Sequence, residues 1–100
     1  MKTKGGYVYI IANKNRTVLY TGVTSNLYSR VYEHKTGIGS VFTSKYKCTD
    51  LLYFQFYDTI IGAIEQEKRM KKWKRSFKEN LINSMNPTWR DLFDEIEDMQ

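Results

Sequence analysis

The sequence has very little of what several large classes of protein require. It contains one cysteine and one histidine among 100 residues. The single Cys48 can neither form an internal disulfide nor build a cysteine-rich zinc cluster, which favours a reducing, cytoplasmic location. No stretch approaches the roughly 18 apolar residues of a membrane span, and the N-terminus lacks the pattern of a secretion signal. These absences argue against a membrane protein and a secreted protein.

Acidic residues are scarce outside the C-terminus. The chain has 16 Lys and Arg against 11 Asp and Glu, which gives a net charge of +5. Five of the acids fall in residues 91–100, so residues 1–90 carry 16 basic and 6 acidic side chains. A body with this charge attracts polyanions, and nucleic acid is the commonest polyanion in a cytoplasm. Charge alone leaves solubility as an equally good explanation.

The apolar pattern predicts one domain over residues 1–100, with a core of about 6–90. Residues 7–12 and 17–23 are rich in β-branched and aromatic side chains on either side of a polar turn, which predicts an antiparallel hairpin. Residues 51–57 predict a third strand, apolar enough to be the central one. With helices around them, these strands predict an α+β fold with a small three-stranded antiparallel sheet.

The remaining segments predict four helices and one basic loop between the first helix and the third strand. Capping residues and helix breakers set the expected boundaries. We expect a first helix to Lys35 capped by Thr24 or Ser25, and a long helix to about Arg75 capped by Asp58 or Thr59. We expect a shorter helix from Phe77 to Met85 after a break or cap at Ser76, and an acidic C-terminal helix over about 89–98 capped by Thr88.

A carboxylate falls inside the apolar arc of the long helix. At 100° per residue, Glu67 shares the side of that helix that carries Ala63 and Met70. A carboxylate held against a core is costly unless a cation or hydrogen-bond donors compensate for its lost hydration. A structural alternative is a glutamate at the edge of the buried stripe, paired with Lys71 four residues later.

Four more reactive side chains point toward the same region. Arg30 and His34 are four residues apart, on the sheet-facing side of the first helix. His34 has the structural alternative of stabilising that helix's C-terminus. Tyr9 and Tyr20 carry phenols on adjacent strands, although strands also favour tyrosine for packing. With Glu67, this set suits phosphodiester hydrolysis, in which a carboxylate holds a metal, a guanidinium binds phosphate, and a phenol or imidazole transfers the proton.

These residues and their spacing resemble the GIY-YIG nuclease superfamily. The two strand motifs that name that family read YVY at residues 7–9 and YTG at residues 20–22, with Tyr for the first glycine and Thr for the second isoleucine. Arg30, His34 and Glu67 follow at matching positions. The chain resembles in particular the small single-domain branch related to the N-terminal nuclease domain of the excinuclease that incises DNA.

The resemblance implies a metal-dependent endonuclease that cuts DNA with structure selectivity or weak sequence specificity. It implies Tyr9 as general base toward the attacking water and Tyr20 as a group that orients the water or bonds the phosphate. It implies Arg30 and His34 as phosphate or proton-transfer groups, and Glu67 as the ligand of a single Mg²⁺ or Mn²⁺. Because a free phenol has a pKa near 10, Tyr9 needs neighbouring positive charge to act near neutrality. We expect no small-molecule cofactor, and a monomer or weak homodimer.

Two positions are possible supports of the site, and one loop departs from the family pattern. Gly22 completes the second motif, and Asn86 either orders the site or only ends a helix. Many small relatives place a basic residue, an aromatic and Thr-Arg in the loop, whereas residues 41–44 read VFTS here. Lys45 and Lys47 lie downstream, which puts contacts between this loop and DNA in doubt.

A run of seven basic residues and no acid occupies residues 68–78 apart from its apolar and hydroxyl members. We predict that these basic side chains contact the phosphate backbone, which gives affinity without sequence preference. A solvated helix end is the structural alternative. The predicted DNA-contacting set is Lys45, Lys47, Lys68, Arg69, Lys71, Lys72, Lys74, Arg75 and Lys78.

Two other functions compete with the nuclease. One is a non-catalytic DNA- or RNA-binding module of the same fold. The other is an interaction domain whose basic face meets an acidic protein. The complete set of five reactive side chains favours the nuclease, because binding alone has no use for a carboxylate in an apolar arc.

Overall fold

A computed structural model describes residues 5–100. Strands β1 (Gly6–Ala12), β2 (Leu19–Thr24) and β3 (Asp50–Tyr57) form an antiparallel sheet in the order β2-β1-β3. The predicted hairpin and α+β architecture are confirmed, but the prediction that the third strand is central is wrong. β1 is central because it is buried almost throughout, whereas the end of β3 is exposed.

Helices cover both faces of this sheet. Among residues 5–100 no helix has the length and apolar character needed to span a lipid bilayer. The helices are α1 (Leu27–Lys35), α2 (Val41–Tyr46), α3 (Ile60–Lys71), α4 (Arg75–Met85) and a C-terminal 3₁₀ helix (Phe93–Met99).

The region around α1 differs from expectation at both ends. Asn26 caps α1 in place of Thr24 or Ser25, because its side chain accepts the backbone N–H of Ser29 at 3.1 Å. The segment predicted as a basic loop contains α2, which begins with a reciprocal capping box between Ser40 and residue 43. This short helix brings a polar residue of the predicted loop next to α1.

The long helix is shorter than predicted. It ends at Lys71 and α4 begins at Arg75, so the chain breaks before Ser76, which is not a cap. The break lets Trp73 pack against the core. It also directs the Arg75 guanidinium back to the hairpin loop, where it donates to the carbonyls of Arg16 and, at 2.9 Å, Thr17.

The C-terminal segment does not form the predicted helix from residue 89. Trp89 adopts a left-handed backbone conformation with φ of 57°, which interrupts a right-handed helix immediately after Thr88. The 3₁₀ helix begins instead at Phe93, whose N–H donates to the Asp91 carboxylate at 3.1 Å. The same carboxylate accepts the N–H of Leu51 at 3.0 Å, so it fastens this segment to β3.

Strand β1 separates two apolar clusters. Val8 and Ile10 face the side covered by α3 and α4, where they pack with Met70. Tyr9 and Ile11 face the side covered by α1 and the 3₁₀ helix. This alternation is the one that the period of two predicts, and it places the Tyr9 phenol among side chains of α1.

Candidate active site

Side chains from two strands and two helices meet near the β2 edge of the sheet. Tyr9 comes from β1, Tyr20 from β2, Arg30 and His34 from α1, and Glu67 from α3. The structure brings all five of these predicted residues into one neighbourhood. Their separation in sequence is bridged by the antiparallel pairing of β1 with β2 and by the packing of α3 against both strands.

Tyr9 is the most enclosed phenol of the group. Its side chain is 1% exposed, and its hydroxyl lies 2.8 Å from Nε2 of His34. Burial raises the pKa of Tyr9 to about 12, although the neighbouring Arg30 guanidinium acts in the opposite direction. Arg30 thus supplies the positive charge that a basic phenol requires, but burial outweighs it. Tyr9 is therefore a protonated phenol at pH 7.

His34 is a neutral imidazole at pH 7. It is 2% exposed, and burial together with the adjacent Arg30 lowers its pKa to about 4. Its second ring nitrogen, Nδ1, lies 3.0 Å from the Thr43 hydroxyl. Each nitrogen of a neutral imidazole can therefore be satisfied, one as donor and one as acceptor. The prediction of a polar role for His34 thus rests on two specific partners.

Thr43 is a site residue that was not predicted from the sequence. It was expected in a loop near DNA, whereas it is 2% exposed and holds His34 from α2. Its hydroxyl also accepts the Ser40 N–H at 3.0 Å, and its own N–H donates to Ser40 Oγ at 3.1 Å. The Ser-x-x-Thr spacing after Gly39 was the available signal, because it is typical of a helix start.

Two glycines make room for the Tyr9–His34 pair. Gly22 is directly opposite Tyr9 in the β1–β2 register, and a Cβ at this position would overlap the phenol. A Cβ at Gly39 would likewise overlap the imidazole of His34. The expected supporting role of Gly22 therefore has a steric reason, namely the close approach of a ring to the neighbouring backbone.

Tyr20 lies at the more open side of the site. Its ring is partly buried, with its centroid 6.0 Å from that of His34. The ring of Phe42, on α2, stacks on it at 5.7 Å. The Lys71 ammonium lies 5.7 Å from the Tyr20 ring centroid, within the range of a cation–π contact.

Glu67 combines both interpretations that its sequence position allowed. Its side chain is 9% exposed, and Oε2 lies 2.6 Å from the ammonium of Lys71, whose own side chain is 50% exposed. The hydrogen bond to Glu67 raises the pKa of Lys71. The carboxylate is therefore both buried within the apolar arc and compensated by the cation at i+4.

The carboxylate of Glu67 suits a divalent ion that takes few ligands from the protein. Within residues 5–100 no group of three or more His, Cys, Asp and Glu side chains could hold a metal ion. Mg²⁺ commonly binds through one or two carboxylates and keeps waters or substrate phosphate oxygens as its other ligands. A single buried carboxylate such as Glu67 fits that mode of binding.

Arg30 sits between the phenol of Tyr9 and a carboxylate on its own helix. Its Nη1 lies 2.7 Å from Oε1 of Glu33, and its side chain is 30% exposed. The pKa of Arg30 is raised first by this hydrogen bond and also by its hydrogen bond with Tyr9. A guanidinium has five N–H donors, so these contacts leave donors for an anionic ligand.

Asn86 has a structural position. It is 3% exposed and its amide nitrogen donates to the carbonyls of Leu52 at 3.2 Å and Arg90 at 2.7 Å. It thereby joins the end of α4 to β3 and to the following turn. Of the two interpretations left open, the structure favours the helix terminator.

The predicted DNA-contacting residues fall into two groups. Three have particular environments: Lys71 pairs with Glu67, Arg75 is fastened to the hairpin and to Glu79, and Lys78 is partly buried. Burial and the nearby Lys71 lower the pKa of Lys78. The remaining predicted contacts are exposed: Lys45, Lys47, Lys68, Arg69, Lys72 and Lys74.

Comparison with known proteins agrees with this geometry. A model of the GIY-YIG catalytic domain matches residues 5–80. A UPF0213 protein of Clostridium perfringens is 38% identical over 78 residues, which cover 78% of this chain and 83% of that protein. One from Syntrophus aciditrophicus is 35% identical over 82 residues, which cover 81% and 92%. The NMR structure of a UPF0213 protein from Bacillus halodurans matches with a TM-score of 0.55 and 25% identity, over 87% of this chain and 92% of that one.

Proposed function

This chain belongs to the GIY-YIG family, and we propose that it is a divalent-metal-dependent endonuclease that hydrolyses phosphodiester bonds in DNA. The observation that carries the proposal is the hydrogen bond between Tyr9 and a neutral His34, next to a guanidinium and a buried carboxylate. Hydrolysis of a phosphodiester needs a proton acceptor for water, a cation for the phosphate and a site for a metal ion. These side chains supply all three.

The proton acceptor is the Tyr9–His34 pair rather than Tyr9 alone. A phenol with a pKa of about 12 is almost entirely protonated at pH 7, so phenolate does not accumulate. We assign the Tyr9 O–H as the donor to Nε2 of His34, with the Nδ1–H directed at Thr43. When water attacks phosphorus, its proton passes to the Tyr9 oxygen as the Tyr9 proton passes to His34.

The imidazolium that results is a short-lived state. Burial and Arg30 keep the pKa of His34 near 4 in the free protein, which disfavours a charged ring. A phosphodiester anion bound next to Arg30 raises that pKa, because an opposite charge within a few ångströms favours the protonated form. The pair therefore becomes a better proton acceptor when substrate is bound.

The phosphate is bound by Arg30 and by the side chains near Glu67. Arg30 is partly exposed and keeps donors for the non-bridging oxygens. Glu67 would hold a single Mg²⁺ or Mn²⁺, which when bound supplies Lewis-acid polarisation of the phosphate oxygens. Lys71 lies 2.6 Å from Glu67 and is half exposed, so its ammonium can also contact phosphate. Tyr20 supplies a second phenol that orients water or bonds the phosphate.

The exposed lysines and arginine of α3 and α2 supply electrostatic affinity for the DNA backbone. Backbone contacts of this kind carry no sequence information, so we propose weak sequence specificity. The observed affinity should fall steeply with salt, since each neutralised phosphate releases counterions. A protein that bound only an acidic partner would not show that dependence on DNA.

The decisive experiment is cleavage of plain, nicked and branched duplex DNA with Mg²⁺ or Mn²⁺. We expect the wild type to cut, and Glu67→Gln and Tyr9→Phe to lower the rate by about 100-fold or more. Glu65→Gln is the matched control, because Glu65 is an exposed carboxylate on the same helix. Equal cleavage by all four proteins would show that the assigned site is wrong. Binding by all four with cleavage by none would favour the non-catalytic module.

A further inference from the structure

Large apolar side chains are exposed on α2 and immediately before it. Val41 is 89% exposed, Ile38 72%, Phe42 43% and Tyr46 41%. Single exposed apolar residues are ordinary, but a cluster of them indicates a binding surface. These side chains occupy one six-residue helix and its approach, next to the candidate active site.

The aromatic members of this surface form a continuous row with a residue of the site. Tyr20 stacks on Phe42 with ring centroids 5.7 Å apart and an interplanar angle of 30°. Phe42 contacts Tyr46 at 4.7 Å. We call these three rings, Tyr20, Phe42 and Tyr46, the aromatic row. It leads from the site, where Tyr20 lies beside His34, outward to solvent.

The row is fixed relative to the site rather than carried on a free loop. The same helix contributes Thr43, whose buried hydroxyl bonds His34 at 3.0 Å. The capping box with Ser40 holds the start of that helix. A group bound on the outer rings is thus held at a defined position relative to the Tyr9–His34 pair.

Cations lie at both ends of the aromatic row. The Lys71 ammonium is 5.7 Å from the ring centroid of Tyr20, and that of Lys45 is 5.4 Å from the centroid of Tyr46. Aromatic faces bordered by ammonium groups suit a ligand that has both flat rings and anionic groups. A strand of nucleic acid has both, and stacking of its bases on aromatic side chains is the usual mode of single-strand binding.

We propose that the aromatic row binds an unpaired nucleobase of the strand being cut, next to the scissile phosphate. The proposal rests on the function proposed above and names its substrate class: DNA with a single-stranded segment, such as a loop, flap or gap. Bases inside an intact duplex have both faces stacked, so they are not available to the row. A second copy of this chain or a protein partner would need a much larger apolar area than one short helix offers.

The test is binding in EDTA, so that no DNA is cut. A fluorescent single strand and a duplex of the same sequence are titrated with wild type, Tyr46→Ala, Phe42→Ala and Phe42→Trp. We expect each alanine variant to weaken single-strand binding about tenfold and duplex binding less than twofold, and Phe42→Trp to retain wild-type affinity. Tyr32→Ala is the control, because Tyr32 is an aromatic residue of α1 that is 53% exposed.

A base analogue gives a second readout that a structural role would not change. The fluorescence of 2-aminopurine in the single strand should be quenched by wild type and by Tyr32→Ala, but not by Tyr46→Ala. Equal losses for single strand and duplex, or unchanged binding by both alanine variants, would overturn the proposal. So would a monomer–dimer equilibrium, seen by sedimentation, that Tyr46→Ala abolishes.

The result also separates this proposal from the nuclease itself. Loss of single-strand binding in the alanine variants, with no cleavage by wild type under any metal, would support the base site and overturn the nuclease. Normal cleavage with equal rates on single-stranded and duplex substrates, unaltered by Tyr46→Ala, would overturn the base site alone.

Discussion

Lowering the pH from 7 to 5 should destabilise this protein by about 2 kcal/mol through His34. Its imidazole is the single histidine of the chain, is 2% exposed, and has a pKa lowered to about 4 by burial and by Arg30. In an unfolded chain the same group has a pKa of about 6.5. Between these two values the unfolded state binds a proton that the folded state does not.

The sign of the effect follows from that difference. Stability rises with pH wherever the unfolded state binds more protons, so the contribution of His34 is complete above pH 6.5 and is lost as the pH falls toward 4. The two pKa values give a loss of about 2 kcal/mol by pH 5 and about 3 kcal/mol by pH 4. Burial tends to raise the pKa of Asp50, but Arg16 and Thr49 lower it overall. That carboxylate therefore titrates below the window from pH 7 to pH 5.

The assay is urea unfolding followed by far-UV circular dichroism at half-unit steps from pH 7 to 5. His34→Gln is the matched variant, since glutamine keeps hydrogen-bonding atoms but does not titrate. We expect the free energy of unfolding of wild type to fall by about 2 kcal/mol relative to that of the variant. The Cε1 proton of His34 should titrate near pH 4 by NMR. Parallel curves for the two proteins, or an NMR pKa near 6.5, would refute the assignment of a buried neutral imidazole.

Three further substitutions test other contacts. Gly22→Ala should lower stability by about 2 kcal/mol and slow cleavage, because the new Cβ overlaps the facing phenol; thermal unfolding and a cleavage assay check this. Arg16→Ala removes the guanidinium that lies 2.8 Å from the buried carboxylate of Asp50, and should lower the urea-unfolding free energy by about 3 kcal/mol. Lys71→Met removes the cation on Glu67, and should tighten Mn²⁺ binding about fivefold in an EPR titration of free Mn²⁺. An unchanged value in any of the three measurements would contradict the contact concerned.

Local periodicity was sufficient to predict which face each reactive side chain takes. The period of two in β1 placed Tyr9 opposite the Val8 face, and the helical period placed Glu67 in an apolar arc, as observed. The i,i+4 spacing likewise put Arg30 and His34 on one side of α1. These are properties of single elements, and they survive folding because an element buries the face that its sequence makes apolar.

Properties that depend on pairing between elements were not predictable in this way. The apolar character of β3 suggested a central strand, but its exposed end and the burial of β1 reverse the order. The helix α2 and the Thr43–His34 hydrogen bond join residues from separate elements, and no local period marks that contact. The rise in the Tyr9 pKa is of the same kind, since it arises from burial in the complete fold.

Each reactive side chain of the site is held by a neighbour whose role in the site the sequence indicated weakly or not at all. Such neighbours fix geometry and pKa, so their substitution should alter the pH profile or the metal affinity of cleavage, which a loss of DNA contact would not do. A backbone contact gives affinity alone and should appear only in salt-dependent binding. The same reasoning explains why Lys71, which stands in the basic run, is better understood through Glu67 than through DNA. The pairs concerned are Tyr9 with Gly22, His34 with Thr43, Arg30 with Glu33, Tyr20 with Phe42, and Glu67 with Lys71.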